Sequence, residues 1–199
     1  MSKENYTADA PEQRRTLWIV LALNIGLAAM LAIGGALADS SGLFANALDN
    51  ASDAAVYALS LVVIGRSLGW KRAAAIASGI LLILFALGVL ADTARRYFYG
   101  SEPIGPAMIA LAVIAAIINL MCLQVLKRLD SDEVHIGAAR TFSFNDFIAN
   151  GGIIVAGILV LSTGERWPDL VAGLAVTAIA LKGAFEIFDQ ARDASEAKP

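Results

Sequence analysis

Six long apolar stretches run through this 199-residue chain, and they leave few folds open to it. A bilayer core about 30 Å thick takes roughly 20 mostly apolar residues per spanning helix. The stretches run approximately Thr16–Ala38, Leu43–Gly65, Ala73–Ala91, Ile104–Leu126, Ala139–Ser162 and Leu170–Phe188. Polar or charged separators divide them: Asp39 to Gly42, Arg66 to Arg72, Asp92 to Pro106, Lys127 to Gly137 and Thr163 to Asp169. Hydrophobic residues make up 58% of the chain and charged ones 17%, against roughly 45–50% and 25% in a soluble domain. That balance excludes a water-soluble globule, a disordered chain and a nucleic-acid binder. The lone Cys122 excludes a disulfide framework or a cysteine zinc cluster, and the lone His135 excludes paired-histidine metal motifs. The expected fold is an all-α polytopic membrane protein of six transmembrane helices. Residues 1–15 read as an N-terminal arm with no signal-peptide core, 16–190 as the membrane domain and 191–199 as a short tail, with no C-terminal domain.

Orientation follows from the basic residues at the helix ends. With both termini on one side, that side collects eleven of the fifteen Lys and Arg residues, and the other only Arg95, Arg96 and Arg166. Both termini are therefore expected in the cytoplasm, with the chain in the cell (inner) membrane. Trp18, Trp70, Trp167, Tyr97 and Tyr99 fall near the expected interfaces. The glycines at 34, 35, 79, 88, 151, 152 and 157 read as helix-packing positions.

The informative residues are carboxylates inside apolar spans. An Asp at the centre of a membrane helix costs about 2.5–3.5 kcal/mol to insert, so it must face a cavity, a partner or an ion. Asp49 and Asp53 in the second stretch are four apart, hence on one helix face, with Asn46 nearby on that face. Asp146 and Asn150 repeat the spacing in the fifth stretch. At 1.5 Å per residue, Asp53 lies about 15 Å below the outer end of its helix and Asp146 about 20 Å below the same side. Antiparallel helices thus bring three acids to mid-membrane without a matching basic group. Close carboxylates repel strongly at low dielectric, and either a divalent cation or protonation relieves them. Metal binding needs deprotonated ligands and so expels protons. The expected site exchanges a divalent cation for protons; the bland reading, in which the three acids only hydrogen-bond neighbouring helices, is the alternative.

Other polar residues read more plainly. Lys182 near the inner end of the sixth span snorkels or pairs with Glu186, and Cys122 is a small core residue. Asp39, Asp92 and Asp169 at helix ends read as caps or interface residues. Asn24 and Asn119 are open between interhelical hydrogen bonding and lining a pathway. His135 reads as a surface residue, and Asp130, Asp132 and Glu133 as a solvated loop. An intramembrane enzyme finds no support, since no span holds a histidine and no membrane serine has an evident base.

These residues resemble the cation diffusion facilitator family of metal exporters. The resemblance rests on the run from Ser41 to Asp53 in the second helix and on Gly69 to Ala73 opening the third. It also rests on Asp92, Asn119, the run from Asp146 through Asn150 to Ile154, and Trp167 to Asp169. It implies a six-helix bundle, a tetrahedral transport site between the second and fifth helices, alternating access, proton antiport and a homodimer. Asp49, Asp53 and Asp146 match three of the four ligands it implies; the fourth falls on Phe142, which cannot bind a metal. Water, Ser143, Asn150 or Asn46 would complete the shell. The expected function is export of a divalent metal, Zn2+ first, in exchange for protons, the metal being substrate and not cofactor. Mn2+, Fe2+, Co2+ or Cd2+ as main substrate is the alternative, because losing an imidazole weakens the preference for zinc. A non-transporting membrane partner subunit is the other.

Overall fold

A computed structural model describes residues 10–63, 68–127 and 134–196, and all six elements among them are α-helices. In chain order these are α1 (Ala10–Leu37), α2 (Ser41–Val63), α3 (Leu68–Tyr99), α4 (Gly105–Lys127), α5 (Val134–Thr163) and α6 (Trp167–Glu196). Asp130 and Asp132, with Glu133, lie outside the described residues, as do the side chains of His135, Phe142 and Ser143.

Five of the helices contain windows long and apolar enough to cross a membrane, and α2 is the exception. Its polar stripe of Asn46, Asp49, Asn50, Ser52 and Asp53 lowers its hydropathy. Its position resolves the apparent conflict: α2 packs against all five other helices. A helix enclosed by its neighbours can carry polar groups that a lipid-facing helix could not. Only 28–39% of each apolar window in the other five is buried inside the protein, so most of their surface is left for lipid. Trp18, Trp70, Trp167, Tyr97 and Tyr99 are exposed, as interface anchors would be. This is a multi-pass membrane protein.

The most extensive packing joins α4 to α5, α1 to α2 and α3 to α6. Helix α3 touches only α2 and α6, so the α3–α6 pair docks as a unit against α2, with α6 also reaching α5. Backbones meet most closely between α4 and α5. A Cβ on Gly105 would stand 2.7 Å from the Gly157 carbonyl oxygen, so both glycines are required by that contact. Gly34, Gly35 and Gly79 likewise sit against other groups, but Gly151 and Gly152 are exposed with nothing within 4 Å. The packing role expected of those two is corrected by their outward placement on α5.

Helix ends depart most from the sequence expectation. Helix α3 continues eight residues beyond Ala91 to Tyr99, because its charges find partners along the helix and across it. Arg96 Nε donates to Asp92 Oδ2 at 2.6 Å, Arg95 Nη2 donates to Asp92 Oδ1 at 3.1 Å, and Arg96 also pairs with Asp39. Asp39 adopts a left-handed backbone (φ 47°) in the α1–α2 turn, and its carboxylate accepts the Glu102 amide at 2.7 Å. Short polar side chains such as Asp tolerate that conformation. Helices α1 and α6 also extend past the expected limits, starting at Ala10 and ending at Glu196.

Candidate metal site

The start of α2 is set by a residue from another helix. Ser40 caps it locally, its Oγ accepting the Leu43 amide at 3.1 Å. Asp169 at the head of α6 then accepts Ser40 Oγ–H at 2.5 Å, Ser41 N–H at 2.6 Å and Gly42 N–H at 3.0 Å. A carboxylate over free helix amides is favoured by both hydrogen bonding and the helix dipole. Asp169 is thus the cap expected of an aspartate here, but for α2 rather than for its own helix. Asp92 serves as an ion-pair partner at the same end of the bundle.

Below this clamp, α2 presents Asn46, Asp49, Asn50 and Asp53 within two turns. Asn46 and Asn50 are wholly buried, Asp53 is nearly so and Asp49 is half-buried. Across from them on α5, Asp146 and Asn150 are buried. Asn46 Nδ2 donates to Asn150 Oδ1 at 2.7 Å, and Asn150 Nδ2 donates to the Asp146 carbonyl at 2.8 Å. Asn50 Nδ2 donates to the Asn46 carbonyl at 2.8 Å and to Asn46 Oδ1 at 3.1 Å. The amides of Asn46 and Asn150 therefore strap α2 to α5.

The strap brings the acids together. Asp146 on α5 lies near enough to Asp49 and Asp53, one turn apart on α2, for the three carboxyls to act on one another electrostatically. The three sequence-chosen acids thus fall on α2 and α5, two helices packed against each other. Among the described residues, no group of three or more His, Cys, Asp or Glu side chains is already arranged to hold a metal. Arg96, the only buried basic side chain among the described residues, serves Asp39 and Asp92 instead. Asp49 also borders a small cleft between α2, α3 and α6, with Ser52, Phe85 and Thr177 on its walls.

The remaining polar candidates separate clearly. Lys182 pairs with Glu186 at 3.5 Å with both side chains exposed, and Cys122 is fully buried. Asn24 does not bridge helices through its amide nitrogen, which donates to the Val20 carbonyl of its own helix at 2.9 Å. Sequence reading passed over Asn50; its place at the fourth residue after Asn46 and the third before Asp53 was the available signal.

The model of the cation efflux transmembrane domain matches residues 17–193, and the chain belongs to that family, the cation diffusion facilitators. A Bacillus velezensis protein named cadmium, cobalt and zinc/H(+)-K(+) antiporter is 22% identical over 197 residues, covering 92% of this chain and 63% of its own length. The zinc transporter ZitB of Yersinia pestis is 24% identical over 172 residues, covering 80% of this chain and 55% of its own. The ZitB of Escherichia coli is 22% identical over 214 residues, with 68% of its length covered. The chain thus spans between about half and two thirds of the length of these relatives.

Proposed function

We propose that this protein exports divalent metal ions across a cell membrane in exchange for protons, by alternating access, with Zn2+ as the first candidate substrate. The observation that carries the reading is the placement of Asp146 on α5 near Asp49 and Asp53 on α2 inside the membrane domain, where the only buried basic side chain among the described residues, Arg96, is engaged by Asp39 and Asp92. Carboxyls that hold protons when no cation is bound, and lose them when one binds, are the chemical element of an exchanger. The names of the relatives, a zinc transporter and a cadmium, cobalt and zinc antiporter, agree with that chemistry.

The helix arrangement suits the motion. The α3–α6 pair contacts the rest chiefly through α2, so rocking it would open or close the Asp49 cleft while the α2–α5 strap keeps the acids in register. Both termini face the cytoplasm of the inner membrane in this reading, and two copies pair through membrane contacts. The test is metal uptake into proteoliposomes. An exchanger gives zinc flux that follows an imposed pH gradient; absence of flux for every divalent metal leaves the protein a membrane partner subunit and overturns the proposal.

A further inference from the structure

The hydrophobic core of the α1–α2–α4–α5 bundle is interrupted. Its upper part includes Leu27 on α1, Ala47 on α2 and Ala115 on α4; its lower part includes Val20, Ala54 and Cys122 on the same helices. Between them, one turn from each, fall Asn24, Asn50 and Asn119, with Asp53 one turn beyond Asn50 on α2, all at least nine-tenths buried. This polar layer lies against the acid site, sharing Asp53 with it.

Among the described residues, three oxygens of these side chains have no hydrogen-bond partner: Asn24 Oδ1, Asn50 Oδ1 and Asp53 Oδ2. Their assignment is chemically forced for the amides. Asn24 reaches the Val20 carbonyl and Asn50 reaches two oxygens of Asn46, so each contact must be made by the NH2 group. Each carbonyl oxygen is then left bare in an interior where an unpaired acceptor is costly. Asn119 Nδ2, on α4, is an unpartnered donor in the same layer, able to hold a cation's water. Two bare amide oxygens in one buried layer, with a bare carboxylate oxygen one turn along α2 from the second, are the kind of donors a hard cation binds.

Resting on the exporter reading, we infer that Asn24 and Asn50 are specificity-determining residues: their amide oxygens, with Asp53, extend the acid site into an oxygen-only face that admits a hard divalent cation such as Mn2+. This face supplies donors where Phe142 supplies none. Zinc, which favours nitrogen and sulfur, gains less from it than manganese does.

The experiment compares Mn2+ and Zn2+ uptake by full-length wild type, Asn24→Leu and Asn24→Asp in proteoliposomes, alongside Mn2+ binding to each purified protein by electron paramagnetic resonance. Wild type is expected to carry both metals. Asn24→Leu should lower the manganese-to-zinc uptake ratio and Mn2+ affinity about tenfold, the scale of losing a group that tunes a metal site. Asn24→Asp loses the bond to Val20 but keeps an oxygen, and it should hold the wild-type ratio. If Asp fails as badly as Leu, the bond to Val20 is what matters and the inference falls. An unchanged ratio in Asn24→Leu, including equal loss of both metals, overturns it too. Zinc flux without manganese flux in wild type overturns it while leaving the exporter reading intact, whereas no flux of either metal overturns both.

Discussion

Asn46 Nδ2 lies 2.7 Å from Asn150 Oδ1, and this bond joins α2 to α5 one turn from Asp49 and from Asp146. Both amides are fully buried, so either one left alone loses its partner without gaining water. Asn150→Ala should therefore cost about 1–3 kcal/mol and reduce metal uptake. In the double variant Asn46→Ala/Asn150→Ala the two costs should be less than additive. Thermal unfolding in detergent measures this; strictly additive losses would dissolve the strap.

Asp53→Ala and Asp146→Asn remove an acid from each side of the site. Both should abolish divalent-metal flux in proteoliposomes while the protein stays monodisperse in detergent. Transport at the wild-type rate in either variant would refute the assignment of that residue.

Metal binding should release protons, because ligating carboxylates must be deprotonated and close buried carboxyls with no cation among them are relieved by protonation. The sign follows directly. Lowering pH adds protons to the metal-free form, so metal affinity falls in acid and rises as pH is raised. Calorimetric titration with Zn2+ in two buffers of different ionisation enthalpy checks it. A binding heat that ignores the buffer means that no proton is exchanged.

Phe142 stands one turn before Asp146 on α5, where the family resemblance implies a fourth ligand. Phe142→His should swing competitive uptake towards zinc, since imidazole suits zinc better than the harder cations. An unaltered metal preference would locate the fourth ligand elsewhere.

Asp169→Ala leaves the first amides of α2 and the Ser40 hydroxyl without their shared acceptor. A lost cap typically costs about 0.5–2 kcal/mol, and this one also joins α6 to α2. A clear fall in thermal stability is expected, with Asp169→Asn less affected because it keeps one carbonyl acceptor.

The six helices and the three acids were legible in the linear chain because each depends on a local property. Apolar length decides which segments enter lipid, and the i, i+4 spacing places Asp49 and Asp53 on one face whatever lies opposite. Where each helix stops was less legible: α3 continues through Asp92 to Tyr99 because Arg96 meets Asp39 from a different part of the chain.

Partner choice belonged to the tertiary structure alone. Sequence spacing makes Asn46, Asn50 and Asn150 polar neighbours of the acids, but it cannot say that two of these amides bond each other while Asn50 keeps an unshared oxygen. Nor can it say that Asp169 caps α2 rather than α6. Helical periodicity determines which face a side chain occupies; only the packing of the six helices decides what that face meets.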